Sequence, residues 1–273
     1  MTAEPPTLTD TRALHERRAR ARADALFLHE RAVEELQDRL AVVNKTFTAP
    51  VVVTGFPAAW RDAVPGARCI PDSDTLALEP GTQDLVVHAM ALHWANDPIG
   101  QLIQCRRALR PDGLFLSVAF GGQTLHELRA CLAEAEAAET GGISPRVLPM
   151  ADLRDAGALL QRAGFALPVA DTQTFPVSYA DAWSLMRDLR AMGEANALHE
   201  RLRRPSRRGV FARAARLYAE AFGKDDGRIR ATFELVFLTG WAPGPGQPQP
   251  LRPGSAQQRL ADALGTDETQ LGD

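Results

Sequence analysis

The chain has 273 residues, 45% of them hydrophobic and 24% charged, which excludes a disordered chain, a collagen-like repeat and a small disulfide scaffold. Its net charge of -3 advertises no basic field for nucleic acid. No run reaches the ~18 apolar residues that a membrane span needs.

Met1–Thr9 reads as a frayed tail and Thr11–Val43 as one or two helices. In the second, Leu26, Val33, Leu36, Leu40 and Val43 recur at helical spacing and mark one buried face. Val51, Val52 and Val53 form a β-branched run closed by Thr54 and Gly55, as a strand buried on both faces would be. Pro57 opens a short helix through Ala63, and Ala67–Ile70 is a second short strand. Asp84–Ala89 is a strand, Asn96–Leu109 a helix, Arg110–Gly113 a tight turn, Leu114–Phe120 a strand and Thr124–Glu139 a helix. Strands alternating with helices at these lengths imply a mostly parallel sheet covered on both faces. Ala151–Ala163 then reads as a helix, Val169–Tyr179 as a strand, and Ala180–Gly193 and Arg207–Phe222 as helices. Arg228–Trp241 alternates like a long strand, and Ala242–Gly254 is Pro/Gly-rich. The expected organisation is N-terminal helices over 1–49, an α/β domain over 50–241 with a helical insertion around 180–222, and an irregular tail over 242–273.

Cys69, Cys105 and Cys131 fit no C-x-x-C pattern and are expected to be small buried hydrophobes in a reducing cytoplasm. Asp10, Glu16 and Asp24 interrupt the Arg-rich stretch Arg12–Arg22, unlike a transit peptide, so the expected location is cytoplasmic. No H-E-x-x-H, paired cysteines or paired histidines suggest a metal.

The run from Asp84 to Gly122 carries the most specific pattern. Its D-L-V-V, A-L-H-W-A-N-D and R-R-A-L-R-P-D-G-L-F segments resemble the fourth strand, following helix and fifth strand of class I S-adenosylmethionine (SAM)-dependent methyltransferases. The L-H-W-x-N-D loop is narrower. It resembles the biotin-pathway malonyl-carrier methyltransferases and their relatives among mitochondrial respiratory complex I assembly factors. The likeness continues through Gly121-Gly122, Met192–Asn196, Ala231–Phe233 and Gly240-Trp241. It implies a Rossmann-like methyltransferase sheet with an antiparallel last strand, SAM as cofactor, and a complex I subunit as partner. It also leaves open an active small-molecule or carrier-protein methyltransferase, a protein-arginine hydroxylase of the same fold, and a binding protein without chemistry.

Two departures from that family bear on the cofactor. The family ends its first strand in a D-x-G-x-G-x-G turn, whose glycines let backbone N–H groups approach the methionine end of SAM. Here only Gly55 remains, followed by Phe56 and Pro57. Only 29 positions separate Gly55 from Asp84, so the sheet is expected to be short by about one strand–helix unit. Cys69–Pro80 aligns with the third-strand region, which places Asp72 at the adenine-side acid. If Ala67–Ile70 is instead the second strand, Asp72 or Asp74 takes the ribose role. Either way SAM is expected to bind weakly or not at all.

The resemblance and the carboxyl-edge position of the loops nominate the site residues. Thr54, Gly55, Asp72 and His88 stand for cofactor contacts, although His88 falls inside a strand. His93, whose side chain suits proton removal near neutrality, and Trp94 stand for catalysis. Gly121, Gly122, Glu194 and Asn196 stand for substrate contacts. The polar cluster Arg187, Arg190, Glu194 and Asn196, with the basic run Arg201–Arg208, is expected to face a protein surface.

Overall fold

A computed structural model describes residues 7–247. The chain divides into two units, Met1–Pro243 and Gly244–Asp273, and the fold below is that of the first. The proposed irregular tail lies, beyond Gln247, outside the described residues.

Two helices, α1 (Thr11–Arg18) and α2 (Phe27–Ala41), precede strand β1 (Pro50–Thr54). Then come α3 (Pro57–Trp60), β2 (Arg68–Ile70), β3 (Gln83–Ala89), α4 (Pro98–Ala108), β4 (Leu109–Phe120) and α5 (His126–Thr140). The chain continues through α6 (Leu153–Arg162), β5 (Ala166–Tyr179), α7 (Ala182–Ala191), α8 (Arg208–Phe222) and β6 (Ile229–Trp241). The strands form one six-stranded sheet in the order β2-β1-β3-β4-β6-β5. β1, β2, β3 and β4 pair in parallel, and β6 runs antiparallel to both of its neighbours. This is a Rossmann-like methyltransferase sheet with its reversed last strand, one strand short near the β2 edge.

Val51, Val52, Val53, Val86 and Val87 are all fully buried, because both faces of the central strands are covered. One face packs against α2, α5, α7 and α8 through residues such as Leu36, Leu128, Leu185 and Val210. The other packs against α4 and α6 through Leu102, Cys105 and Leu160.

Three local expectations need correction. Arg110–Gly113 does not leave the sheet: β4 starts at Leu109, and the four residues form an irregularity in its pairing with β3. Asp112 supplies the bend in the left-handed region, at φ 59°. The tail is not frayed up to Thr9, since the Leu8 and Thr9 N–H groups both donate to Asn96 Oδ1 and Thr9 bridges to Leu198. Cys105 and Cys131 are buried, but Cys69 is only partly so. Among the described residues no helix is long and apolar enough to cross a membrane.

Candidate functional site

The carboxyl ends of β1 to β4 converge on one edge, the position where open α/β sheets bind ligands. β2 hydrogen-bonds directly to β1, with Cys69 opposite Val52. Asp72 therefore follows the strand beside β1, in the place of the second strand, and the third-strand alignment does not hold.

Both Gly55 and Asp72 face the same side chain, Arg18, which comes from the last turn of α1. Arg18 Nη1 donates to both Asp72 oxygens, at 2.7 and 3.0 Å. The pair is sealed, with side chains 4% and 8% exposed. The guanidinium also lies on Gly55, where an added Cβ would stand 2.2 Å from Nη1. Its carbon is 5.5 Å from the centre of the Phe56 ring. The glycine that ends β1 thus makes room for an arginine of the same chain. A cavity of about 320 Å³ remains along Arg18, Thr54, Gly55, Ile70 and Asp72. Thr54 turns inward, and its Oγ1 accepts the Phe56 N–H at 3.1 Å.

Around Arg18 the interior is polar. His29 is buried, and its Nδ1 accepts the Trp60 indole N–H at 2.9 Å. Burial pushes its pKa down to about 4, so the ring is neutral. His88 is fully buried inside β3, and its Nε2 donates to Gln101 Oε1 at 2.7 Å. Burial lowers its pKa as well. Arg18 Nε and Nη2, His29 Nε2, His88 Nδ1, His93 Nε2 and Glu194 Oε1 have no hydrogen-bond partner within the protein. Buried polar atoms of this kind are uncommon, and these groups lie close enough to act on one another electrostatically, while Thr9 Oγ1, Arg106 Nε, Ser117 Oγ, Arg129 Nε and Arg213 Nε are unpartnered as well. Among the described residues, no group of three His, Cys, Asp or Glu side chains is placed to hold a metal ion.

The loop after β3 supplies the next part. Met90 takes a left-handed backbone conformation (φ 49°) and turns the chain into a 3-10 turn over Leu92–Trp94. Trp94 Nε1 donates to Glu194 Oε2 at 2.8 Å. His93 Nδ1 accepts the Phe120 N–H at 3.4 Å, and its Nε2 lies 3.8 Å from the same Glu194 oxygen. Glu194 is positioned by the end of α7: Gly193 adopts φ 84°, and the Glu194 N–H returns to Leu189 O at 2.9 Å. A side chain on Gly193 would run into Ala21, the Arg18 backbone and Phe56. Burial pushes the Glu194 pKa up, but His93 and Arg18 outweigh it and hold the group below its ordinary value. Glu194 is therefore a buried, ionised carboxylate.

Trp94 and Glu194 lie at the edge of a larger cavity of about 430 Å³, lined by side chains such as Phe120, Leu128, Phe211 and Phe233 together with Asn196. Asn196 Nδ2 donates to Pro145 O. The structure thus brings His93, Trp94, Glu194 and Asn196 together, and Thr54, Gly55 and Asp72 together. Gly121 faces Glu234 and Gly122 faces the backbone at Met150 and Ala151, between Phe120 and Thr124, which line the larger cavity. In the basic run, Arg201 and Arg203 are committed to Asp10 and Arg207 to Glu139 O.

Arg18 and His29 escape a reading by motif. Arg18 sits four residues after the buried Leu14, on the inward face of α1, and that spacing is the one local sign of its burial.

Comparison with known proteins adds relatives. A methyltransferase domain model matches residues 29–117. The chain is 35% identical over 221 residues to the mitochondrial arginine-hydroxylase NDUFAF5 of Danio rerio, an alignment covering 81% of this chain and 68% of that protein. It is 37% identical over 183 residues to the malonyl-[acyl-carrier protein] O-methyltransferase of Halorhodospira halophila, covering 67% of this chain and 60% of that one. Among solved structures it resembles the YcgJ protein of a Bacillus species, with a TM-score of 0.48, 12% identity, and 78% and 99% of the two chains covered. The chain spans about two thirds or less of the length of the curated relatives.

Proposed function

This chain belongs to the class I SAM-dependent methyltransferase family, and on that footing we propose that it is a member with weakened SAM binding that acts on a protein partner in respiratory complex I assembly. The observation that carries the reading is the seat of Arg18. A standard site offers a glycine turn to the methionine tail of SAM and an acid to its ribose. Gly55 and Asp72 are the residues of this chain that match those roles, and one guanidinium engages both. Phe56 and Pro57 add bulk after the glycine, and Pro57 has no N–H to give. SAM and the Arg18 side chain therefore compete for the same surface. Losing a charged hydrogen bond at the ribose costs ~1.5–3 kcal/mol, about one to two decades of affinity.

The partner half of the reading rests on kinship. The NDUFAF5 relatives bear the name of an arginine hydroxylase, and the match covers most of this chain.

A carrier-protein methyltransferase is the second reading, favoured by the malonyl-carrier relatives. Calorimetric titration of the purified full chain with SAM and S-adenosylhomocysteine separates the two. Weakened binding gives a dissociation constant near millimolar. A low-micromolar constant that is abolished by Asp72→Ala selects the methyltransferase instead.

A further inference from the structure

The 430 Å³ cavity has a charge pattern that a small neutral substrate does not need. Its interior is apolar, with Phe120, Phe233 and Phe211 among its walls. Arg17, Arg20 and Arg190 also line it, and none of the three forms an ion pair or side-chain hydrogen bond among the described residues. Arg146, which lines it too, is committed to Glu136 at 2.6 Å. Glu194 stands at its edge with a side chain only 6% exposed and one oxygen unpartnered in the protein. Arginines outside any close ion pair (Arg17 feels Asp10 and Glu16 only at longer range), an apolar interior and a buried carboxylate form a selective combination.

Resting on the protein-partner half of the reading above, we propose that this cavity binds an extended segment of the partner protein. A large apolar side chain of that segment enters the cavity, and acidic residues flanking it meet Arg17, Arg20 and Arg190. The ionised Glu194 repels an acid from the interior, so the anchor is apolar and the acids stay outside. A fatty-acid anion needs one cation at one end. Here the uncommitted cations come from separate elements: Arg17 from α1, Arg20 from the segment after it, and Arg190 from α7. The apolar surface also continues outward, since the Phe211 ring lies 6.3 Å from that of Trp183, which is 45% exposed. Several cations around an apolar seat that extends over the surface fit a multi-residue ligand better than a single headgroup.

The probe is a fluorescein-labelled pentapeptide with a central phenylalanine between two aspartates on each side, followed by fluorescence anisotropy against the full chain. Companion peptides carry lysines in place of the aspartates, or alanine in place of the phenylalanine. Saturable binding of the acidic phenylalanine peptide is expected, with both companions weaker by about tenfold or more. Raising salt from about 50 to about 500 mM weakens it further. Arg20→Glu/Arg190→Glu, at two exposed positions, reduces affinity about tenfold or more with unchanged circular dichroism and melting temperature. Arg20→Gln/Arg190→Gln gives a smaller loss in the same direction and serves if the charge reversal perturbs folding. Equal binding of the lysine peptide, no binding of the acidic one, or binding of sodium decanoate in its place would overturn the proposal. None of these substitutions touches Gly55 or Asp72. The SAM titration therefore fails or succeeds separately from this test.

Discussion

Replacing Arg18 with alanine strands the Asp72 carboxylate in a site where its side chain is only 8% exposed. An exposed ion pair contributes at most about 1 kcal/mol, but breaking a buried one costs about 3–5 kcal/mol because a charge is left without its partner. The Arg18–Asp72 pair is of the second kind, with both side chains sealed and two hydrogen bonds from one nitrogen. Arg18→Ala should therefore lower stability by about 3–5 kcal/mol, which for a domain of this size lowers Tm by roughly 6–20 °C. Asp72→Ala should cost about as much, since it strands the guanidinium. The double variant Arg18→Met/Asp72→Leu removes both charges and keeps the volume. Because Arg18 Nε and Nη2 have no partner in the protein, that variant should recover most of the loss or exceed the starting stability. Urea denaturation of the three variants forms the cycle. Single losses below about 1 kcal/mol, or losses that simply add in the double variant, would refute the reasoning.

Gly55→Ala should force the Arg18 guanidinium off its seat and cost about 1–3 kcal/mol by urea denaturation, with most of that cost gone in an Arg18→Ala background. His29 has a pKa of about 4 in the folded state against an ordinary 6.5, so the unfolded chain binds the extra proton between those values. Stability should fall as pH drops from about 6.5 to about 4, by up to about 1.4 kcal/mol per pH unit, and His29→Gln should flatten that slope in equilibrium unfolding. Glu136 is pushed up by burial but held down to about 2 by Arg146 and Ser144. Its stabilising contribution is present above about 4.5 and lost as pH falls toward 2, so Glu136→Gln should be less sensitive to acid over that window.

The strands were legible where the chain writes them as mainly apolar runs. Val51–Val53 and Leu114–Phe120 are buried on both faces, and composition placed these strand cores but not the start of β4 at Leu109. The Arg110–Gly113 segment carries turn residues yet stays within β4, because the irregular pairing with β3 absorbs it. Turn chemistry signals a bend there but not a departure from the sheet. The position of Asp72 could not be chosen from spacing, since a missing strand leaves two alignments open. The direct pairing of β2 with β1 closes that choice. Arg18 was the hardest to see. Within an arginine-rich segment it looks like its neighbours, and its meaning depends on Gly55 and on Asp72, 54 positions away. Glu194 and Trp94, 100 positions apart, were nominated separately by resemblance, and only the fold joins them through a 2.8 Å hydrogen bond.

Equilibrium dialysis of radiolabelled SAM against the wild-type chain and Arg18→Ala, side by side under conditions where both are folded, tests most directly whether Arg18 stands in the cofactor's place. Wild type should bind with a dissociation constant near millimolar, and removing the guanidinium should tighten it about tenfold or more, a gain of at least about 1.4 kcal/mol. Low-micromolar binding by wild type, or unchanged or weaker binding by the folded Arg18→Ala chain, would contradict it.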